Sequence, residues 1–377
     1  MKLAFVLFSY FPYGGLQRDF SGIVQACQAR GASITVFTMA WKGSRSIQAD
    51  IHLYPGSRLT ATARRRQFVE YVRQQTAADR FDAVIGFNRM PGLDFYFAAD
   101  TCFAEKALRH RNWLYRLTPR CRQYLDYEEA VFSATGNTRI FMISPLQQQQ
   151  YLKHYCNAAR RMISLPPGIS EDRKAGVDAA RLRAEFRREL GLQEQHMLVL
   201  QVGSGFAVKG VDRALKAIAA LDQCVREQVR YVLVGDDRAM PYRRLAHRLN
   251  IGDIVTILPG RDDIPSCLQG ADLLIHPAYS ESAGLVLVEA IVAGLPVLTT
   301  DTCGFAEHVE RADAGLICHS PFSQDHLNRM LAHMLTGGRL EHWHRQGLRY
   351  GQKHDLYHMQ ETVADILCRT GNSDAKN

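Results

Sequence analysis

The chain repeats one pattern twice: a short apolar run, a glycine-containing turn and a segment with helical hydrophobic spacing. In the first half Leu3–Phe8 is followed by Gly14-Gly15, and in the second half Met197–Val202 is followed by Gly203. Continuous apolar runs of this length are typical of parallel strands that helices cover on both faces. The 377 residues therefore predict two doubly wound α/β domains, each built on its own parallel sheet.

The same alternation continues along both halves and indicates where they divide. Further strands are predicted at Ser33–Thr38, Ile51–Tyr54, Ala83–Phe87, Phe95–Ala99, Arg139–Ile143, Met162–Leu165, Tyr231–Val234, Val255–Leu258, Leu273–His276, Val297–Thr299 and Leu316–Cys318. Pro166-Pro167-Gly168 separates the two runs, and the polar segment Ser170–Val177 is predicted to be a linker. We therefore predict domains over residues 1–168 and 169–354, with ligands in the cleft between them at the carboxyl ends of the strands.

Composition excludes several classes of protein. With 46% hydrophobic and 22% charged residues, the chain is neither disordered nor a coiled coil. The most apolar segment, Gly284–Leu298, contains Glu289 and Pro296 and is shorter than the ~20 residues that a membrane-spanning helix needs. Nine cysteines without a C-x-x-C pair and 14 histidines without a zinc-binding spacing predict reduced thiols and no metal site. We expect a cytoplasmic protein without a cofactor.

The positive charge is concentrated in the first half of the chain. The net charge is +8, but residues 1–170 carry 22 Lys and Arg against 11 Asp and Glu, whereas the remainder carries 24 against 27. This asymmetry indicates an anionic partner for the first half, which could be a phosphorylated substrate, a nucleic acid or an acidic lipid.

The densest basic segment covers residues 106–124, which lack acidic residues and interleave arginines with aromatic rings. Such a composition suits the headgroup region of an anionic membrane. A solvated basic helix face with its rings in the core has the same pattern. Pro119 divides the segment and predicts two short helices. The membrane hypothesis concerns Lys106, Arg109, Arg111, Trp113, Tyr115, Arg116, Arg120 and Arg122.

Two turns between a strand and a helix are candidates for phosphate binding. Gly14-Gly15 stands where backbone N–H groups approach a ligand, although its spacing is not a dinucleotide fingerprint and a plain tight turn is the alternative. Asp19, one turn into the following helix, is predicted to lie on the acceptor side. Lys209-Gly210 precedes a helix in the second half, where the lysine could balance a diphosphate. A solvated lysine is the alternative.

Glu281 and Glu289 flank the start of a predicted helix, Leu285–Ala293. In an ideal helix eight residues would separate the two carboxylates by roughly 12 Å, so they cannot act as an acid/base pair at one atom. They could instead hold two ends of an extended ligand, such as a sugar and a ribose. Glu281 could alternatively serve only the helix dipole, whereas Glu289 lies among apolar residues and requires a partner there.

Several long strings of residues resemble one family of enzymes. They are Phe11–Phe20, Gly86–Asp94, Phe97–Asp100, Leu165–Ile169, Pro259–Arg261 and His276–Tyr279. Together with the spacing of Glu281 and Glu289, they resemble the retaining glycosyltransferases of family four with the GT-B fold. Within that family they are similar to lipopolysaccharide core enzymes of the glucosyltransferase I type. The resemblance extends over nearly the whole chain and implies two Rossmann-like domains that face each other across a cleft.

The resemblance also implies roles for individual residues. Residues 1–168, with a C-terminal helix at about 355–370 packed back on them, would form the acceptor-side domain, and residues 169–354 the nucleotide-sugar-binding domain. Asp100 would lie near the transferred sugar, where many relatives have a histidine, and would be catalytic together with Lys209 and Glu281. The implied donor-binding residues are Gly15, Arg173 and Lys209 at the diphosphate, Arg261 at the uracil, Glu289 at the ribose, and Glu281, Ala283, Gly284 and Leu285 at the sugar and its phosphate.

Two departures from the family leave fewer cationic residues to balance the charge of the diphosphate. Ser204 and Val208 stand where many relatives have basic residues, so Lys209 and Arg173 would balance more of that negative charge. The chain has no D-x-D motif. We therefore expect a metal-independent reaction in which these two cations and a helix N-terminus stabilise the leaving diphosphate.

The implied activity is the transfer of a hexose or N-acetylhexosamine from a UDP-sugar to a heptose of the lipopolysaccharide inner core. The enzyme would act with retention, peripherally bound to the cytoplasmic face of the inner membrane. The sequence does not distinguish UDP-glucose, UDP-N-acetylglucosamine and UDP-N-acetylgalactosamine. Two other functions fit parts of the sequence: a UDP-sugar epimerase of the same architecture, and a basic nucleic-acid-binding protein. The sequence contains no recognised nucleic-acid-binding motif, and no nucleic acid partner is expected.

Overall fold

The structure is a computed structural model that describes residues 1–11, 15–43, 48–56, 60–109 and 113–373. The chain divides into two compact units. Unit 1 contains Met1–Gly168 and the C-terminal residues from His358, and unit 2 contains Ile169–Tyr357.

The described part of unit 1 is built on a seven-stranded parallel sheet with the strand order β3-β2-β1-β4-β5-β6-β7. The strands are β1 (Lys2–Leu7), β2 (Ser33–Thr38), β3 (Asp50–Leu53), β4 (Ala83–Gly86), β5 (Phe95–Ala98), β6 (Arg139–Met142) and β7 (Met162–Ser164). The helices before residue 169 are α1 (Gly15–Ala29), α2 (Ala61–Ala78), α3 (Phe103–Arg109), α4 (Trp113–Arg116), α5 (Pro119–Phe132) and α6 (Pro145–Leu152).

Two apolar layers cover the two faces of this sheet. Leu3, Phe5 and Leu7 of β1 belong to one buried cluster with residues of α1, whereas Ala4 and Val6 belong to a second cluster with residues of α2 and α5. The alternation follows from the two-residue period of a strand. A strand covered on both faces has no polar position, which explains why β1 appears in the sequence as one continuous apolar run.

Unit 2, which is described throughout, contains a six-stranded parallel sheet with the order β10-β9-β8-β11-β12-β13. The strands are β8 (Met197–Val202), β9 (Val229–Val234), β10 (Val255–Leu258), β11 (Leu273–His276), β12 (Val297–Thr300) and β13 (Gly315–Cys318). The helices are α7 (Ala179–Glu189), α8 (Val211–Ala219), α9 (Gln223–Gln228), α10 (Met240–Arg248), α11 (Ile264–Gly270), α12 (Leu285–Val292), α13 (Ala306–Arg311), α14 (Gln324–Thr336) and α15 (Leu340–Lys353).

The last helix, α16 (Met359–Ser373), packs on α1 within unit 1. The two helices approach closely at Gly22, where an added Cβ would lie 2.8 Å from Cγ of Gln360. Arg30 Nε donates a 2.7 Å hydrogen bond to Asp365 Oδ1 at the edge of the contact. The apolar residues that α16 adds to the buried cluster are Met359, Val363, Ala364 and Leu367.

The predicted strands are confirmed with shifts of one or two residues at their ends, but two local predictions are wrong. After residue 322 the chain forms three helices, with Gly337-Gly338 between α14 and α15 and residues 354–358 between α15 and α16. Residues 106–124 contribute to three helices rather than two, since α4 lies between α3 and α5. The segment Ser170–Val177 is not only a polar linker, because it contains a short 3-10 turn in which Arg173 is buried.

None of the helices in the described ranges is long and apolar enough to cross a membrane.

A buried ion pair ties three parts of unit 1 together. Glu128 of α5 is fully buried and accepts hydrogen bonds from the backbone N–H groups of Phe103 (2.7 Å) and Ala104 (2.8 Å), at the start of α3. Its carboxylate also pairs with Arg89 and accepts a 3.2 Å hydrogen bond from the Tyr155 hydroxyl. The guanidinium of Arg89 is itself buried, so the two charges depend on each other.

We expect Glu128→Ala to lower the free energy of unfolding by about 3–5 kcal/mol, because the substitution leaves the Arg89 charge buried without its principal partner. The measurement is urea denaturation of the full chain. Glu129→Ala, at the adjacent exposed position of α5, is the matched control and should leave the transition within about 0.5 kcal/mol. Equal midpoints for the two variants would contradict this role of Glu128.

A second buried group makes the stability of unit 2 depend on pH. His308 of α13 is buried, and its Nδ1 lies 2.7 Å from the hydroxyl oxygen of Tyr350 in α15. Burial, together with the charges of Arg311 and His354, lowers the pKa of His308 from its ordinary value of 6.5 to about 4. The folded chain thus holds a neutral imidazole that the unfolded chain protonates below pH 6.5.

Stability from this group is therefore fully present above pH 6.5 and falls as the pH drops from 6.5 to about 4. Across that range the contribution changes by about 1.4 kcal/mol per pH unit. We expect His308→Gln to reduce the pH dependence of the free energy of unfolding, measured by urea denaturation, by this amount. His326→Gln, which changes an exposed histidine of α14, is the control for the loss of a histidine from the surface. An unchanged slope in His308→Gln would contradict the assignment.

Candidate active site

The carboxyl ends of two neighbouring strands bring Lys209 and Glu281 together in unit 2. Lys209 lies in the loop after β8, Glu281 lies after β11, and these strands are adjacent in the sheet. The Lys209 ammonium pairs with Oε2 of Glu281. Only 21% of the lysine side chain and 17% of the glutamate side chain are exposed. Because all strands of this sheet are parallel, these loops lie at the edge where ligands of such sheets bind.

The loop that carries Lys209 is fixed against the chain after β11. Gly210 has φ +69° and lies so close to Pro277 that an added Cβ would be 2.0 Å from the Pro277 carbonyl oxygen. The N–H of Tyr279 donates to the Val208 carbonyl at 2.8 Å, and Gln201 Nε2 donates to the Lys209 carbonyl at 2.8 Å. The glycine after Lys209 is therefore required both by its backbone conformation and by close packing.

His276, the last residue of β11, lies beside this pair and completes a polar cluster. It is fully buried, and its Nε2 is 3.6 Å from Oε2 of Glu281. Neither ring nitrogen has a hydrogen-bond partner among the described residues. Burial lowers the pKa of His276 to about 3, and the Lys209 charge acts in the same direction, so the ring is neutral at pH 7. An unsatisfied polar ring at this depth is typical of a site that binds a polar ligand.

The environment of Lys209 acts on its charge in two directions. Burial lowers the pKa of the Lys209 ammonium to about 8. The neighbouring Glu281 carboxylate favours the charged form of the lysine. Lys209 is therefore a cation in a desolvated setting, where the interaction of its ammonium group with an added anion is stronger than in water.

The segment from Glu281 to Leu285 is held by the loop after β12. The backbone carbonyl of Glu281 accepts a 3.1 Å hydrogen bond from the N–H of Gly304, and the backbone N–H of Glu281 donates one of 3.1 Å to the Thr302 carbonyl. The N–H of Phe305 donates to the Ala283 carbonyl at 2.7 Å. Gly284 has φ +83° and stands directly before α12, which begins at Leu285. The helix therefore starts after Glu281, as the sequence predicts, and its first N–H groups have no partner within the helix.

Arg173 and Glu289, which the sequence assigns to different parts of a donor, lie next to each other in the structure. Nε of Arg173 is 3.4 Å from Oε1 of Glu289, and both side chains are buried. Arg173 also donates a 3.0 Å hydrogen bond from Nη1 to Asp172 Oδ2. Arg173 is thus the partner that a glutamate among apolar residues of α12 requires. Its guanidinium already contacts two carboxylates.

The guanidinium of Arg261 is engaged with neighbouring acids. It donates hydrogen bonds to both carboxylate oxygens of Glu189 (2.6 and 3.0 Å) and of Asp263 (2.7 and 2.7 Å). These contacts hold the pKa values of Glu189 and Asp263 below their usual range. The residue before Arg261 is also fixed, because the N–H of Gly260 donates to Asp236 Oδ1 at 2.9 Å. The Arg261 side chain therefore positions this loop.

The predicted site residues of unit 1 lie in three settings. Gly15, the first residue of α1, lines a cavity of about 560 Å³. Asp19 is buried in α1. Asp100 lines a second cavity of about 210 Å³, and its Oδ2 is 3.8 Å from Nη2 of Arg89. The second cavity also contains the exposed cations Lys106 and Arg120.

The basic segment exposes apolar as well as charged side chains. Trp113 is 67% exposed, and Leu114 and Leu117 are more than half exposed. The residues Lys106, Arg120 and Arg122 are exposed, and Tyr115 is half-buried. Arg116 differs from its neighbours, because its guanidinium donates to the carbonyls of Ala107 (3.1 Å) and Leu108 (2.8 Å) and so holds α4 against the end of α3. Arg109 ends α3, and Arg111 lies outside the described residues.

Sequence reasoning missed three groups of residues that the structure places at cavities or in buried polar clusters. His276 was noted as the end of an apolar strand and as part of the string His276–Tyr279, but it was assigned no role, and its ionisable ring was the available signal. Arg89 follows β4 without a local acidic partner, since Glu128 is 39 residues away. Arg64 and Arg65 line the larger cavity of unit 1, and the run Arg64-Arg65-Arg66 was their signal.

Comparison with known proteins identifies relatives of this chain in sequence and in fold. Residues 183–349 match the family model "Glycosyl transferases group 1". The lipopolysaccharide glucosyltransferase WaaG of Escherichia coli K12 is 41% identical over 99% of this chain and 100% of its own length. A crystal structure of WaaG covers 97% of this chain and 99% of that one with a TM-score of 0.92.

A more distant structure shows the same fold. Anabaena Alr3699/HepE, crystallised in complex with UDP-glucose, matches over 98% of this chain and 100% of its own with a TM-score of 0.73 at 19% identity. The GT-B fold and the family that the sequence resembles are confirmed. The chain therefore belongs to the WaaG family of GT-B glycosyltransferases.

Proposed function

We propose that this glycosyltransferase moves a hexosyl unit from a UDP-sugar to a heptose of the lipopolysaccharide inner core, with retention, at the cytoplasmic face of the membrane. The observation that carries the donor part is the Lys209–Glu281 pair beside neutral His276 at the carboxyl edge of the unit 2 sheet. The name of the 41% identical relative, lipopolysaccharide glucosyltransferase, supports the reaction class and the acceptor.

The donor would be held by charge and by backbone N–H groups. Cleavage of the bond between the sugar and the diphosphate places negative charge on the departing oxygens. The Lys209 ammonium and the N-terminal N–H groups of α12, at Leu285, would stabilise that charge electrostatically. Glu281 would orient Lys209 and accept a hydrogen bond from a sugar hydroxyl. We propose that this reaction requires no metal ion, because the chain lacks a D-x-D motif and carries these cationic groups instead.

Arg173 and Glu289 would act together rather than at separate ends of the donor. Their contact at 3.4 Å leaves Glu289 an anionic acceptor for hydroxyl groups and Arg173 a cation close to it. A ribose would engage the free lone pairs of the carboxylate, while the guanidinium holds the carboxylate in place. In this proposal Lys209 is the side chain that balances most of the negative charge of the diphosphate.

Glucose is the sugar that the relative's name favours. Isothermal titration calorimetry with UDP-glucose, UDP-N-acetylglucosamine and UDP-N-acetylgalactosamine tests the donor assignment. Tighter binding of UDP-glucose than of either N-acetylated nucleotide sugar supports glucose. A preference for an N-acetylhexosamine would replace glucose in the proposal, and no binding of any of the three would refute a UDP-sugar donor.

Peripheral membrane binding is proposed for the surface around α4. Trp113, Leu114 and Leu117 expose apolar side chains next to the exposed cations Arg120 and Arg122. Exposed apolar residues rimmed by positive charge are typical of a surface that inserts shallowly into an anionic bilayer. Each cation near such a surface contributes about 1 kcal/mol.

We expect Lys209→Ala to lower kcat by about 10²- to 10³-fold, because the variant loses a preorganised cation at the leaving group. The assay measures hexosyl transfer from UDP-glucose to lipopolysaccharide truncated at the inner core, with EDTA present. Lys216→Ala changes a more exposed lysine of α8, which pairs with Asp212, and is the control for a general effect of charge. Near-normal turnover by a folded Lys209→Ala variant would remove Lys209 from the site.

For the membrane surface we expect the triple variant Trp113→Ser, Leu114→Ser and Leu117→Ser to bind anionic vesicles at least about tenfold more weakly, because it loses apolar area that can enter the bilayer. Vesicle sedimentation measures the partition. The double variant Val177→Ser and Met240→Ser removes exposed apolar residues of unit 2 and should bind as the wild type does. Unchanged sedimentation of the triple variant would reject this surface.

A further inference from the structure

The larger cavity of unit 1 lies at the point where the strand order of its sheet reverses. It has a volume of about 560 Å³ and is lined by residues that follow β1, β2 and β4, including Ser9, Ala40 and Asn88. β1 and β4 are neighbours in the sheet, and the connections from them leave in opposite directions. Parallel sheets bind their ligands at this position. The position of this cavity is therefore that of a ligand-binding site. The residues of unit 2 that are assigned to the donor do not line it.

Two arginines line this cavity, and each has a buried guanidinium nitrogen without a hydrogen-bond partner among the described residues. Nη2 of Arg64 donates to the Met39 carbonyl at 3.0 Å, which fixes the side chain. Nε of Arg64 and Nη1 of Arg65 are buried and have no hydrogen-bond partner among the described residues. A buried N–H of a charged group without a partner is unfavourable, so native proteins retain such groups where a ligand or water completes them.

The lining also carries excess positive charge. None of the described residues that line the cavity is acidic, so neither arginine is neutralised within it. Arg65 lies 5.9 Å from the ring centre of Phe8 and 5.1 Å from that of Tyr124, contacts that support the guanidinium without cancelling its charge. A guanidinium group binds oxyanions through charge-assisted hydrogen bonds, so two arginines that line one cavity favour an anionic ligand there.

The remaining lining suits the hydroxyl groups and C–H faces of a saccharide. Asn88 Oδ1 accepts a 2.7 Å hydrogen bond from the N–H of Phe8, which directs its amide. Gln17 Nε2 donates to the Ser9 carbonyl at 3.2 Å, which fixes the second amide side chain of the lining. The ring of Phe11 is 45% exposed and also lines the cavity. Fixed amides beside an aromatic ring and two cations favour a sugar that bears a negative charge.

We propose that this cavity binds the acceptor through an oxyanion carried by the acceptor saccharide, with Arg64 and Arg65 as the residues that hold it. The oxyanion is either a phosphoryl group or the carboxylate of a sugar acid, because both present the same pair of oxygens to a guanidinium. The inference rests on the proposed function, since it assigns the acceptor half of that reaction to a cavity of unit 1.

The test compares steady-state kinetics of the wild type, the double variant Arg64→Gln/Arg65→Gln and the control Arg66→Gln. Arg66 is the next residue of α2, is exposed and does not line the cavity. We expect the double variant to raise the KM for truncated lipopolysaccharide at least about tenfold, the loss expected for charge-assisted hydrogen bonds. The KM for UDP-glucose and the Kd for UDP should stay at wild-type values in all three proteins.

Two treated acceptors distinguish the sources of the oxyanion. If the oxyanion is a phosphoryl group, treatment of the lipopolysaccharide with phosphatase should raise the KM of the wild type for this acceptor. If the oxyanion is the carboxylate of a sugar acid, reduction of the carboxyl groups should raise that KM instead. With the correctly treated acceptor, the double variant and the wild type should then have equal KM values. A wild type indifferent to both treatments would overturn the proposal.

Other outcomes are equally decisive. Weaker UDP binding by the double variant with an unchanged acceptor KM would assign the cavity to the donor and refute the proposal. If the wild type transfers no sugar from any of the three UDP-sugars, the proposed function is refuted. If the wild type transfers sugar and the variants have the same acceptor KM, only the role of this cavity is refuted. If the double variant does not fold, Arg65→Gln alone serves, because Arg65 donates to no backbone carbonyl of the described residues and its replacement leaves the hydrogen bond from Arg64 to Met39 intact.

Discussion

The parallel direction of every strand pair is the constraint on which both units depend. Parallel pairing places all carboxyl ends of a sheet at one edge, so residues far apart in the chain converge there. In unit 2 this brings the loop after β8 beside the loop after β11, and with them Lys209 and Glu281, which are 72 residues apart. In unit 1 the same constraint gathers Ser9, Ala40 and Asn88 around one cavity. Strand direction and strand order therefore decide where the polar residues of both candidate sites lie.

The elements of this fold could be predicted from the sequence, because their causes are local. An apolar run bounded by glycine or proline predicts a buried strand, and the observed strands begin and end within one or two residues of those predicted. The start of α12 after Glu281 could also be predicted, since Gly284 can adopt the positive φ that this start has.

Partners of charged residues could not be predicted, because they depend on the fold. The identity of Arg173, Lys209 and Glu289 as residues of interest came from the resemblance and the spacing, but the contact between Arg173 and Glu289 joins positions 116 apart. Arg261 is engaged by Glu189 from 72 residues away, which no local pattern shows. The +11 charge of the first half likewise has no single purpose in the structure. Arg89 is neutralised in a buried ion pair, whereas Arg64 and Arg65 line a cavity, and Arg120 and Arg122 lie on the exposed surface around α4.

The packing of α16 on α1 has a consequence for how the polypeptide matures. Met359, Val363, Ala364 and Leu367 complete a buried cluster whose other members come from the first 165 residues. The sequence of unit 2 is inserted between these two contributions. During synthesis, the part of this face that α16 covers therefore stays exposed after the strands of the first sheet have left the ribosome, and it is covered only when α16 emerges. Nascent chains of this protein must keep that apolar face soluble while nearly 200 further residues are translated.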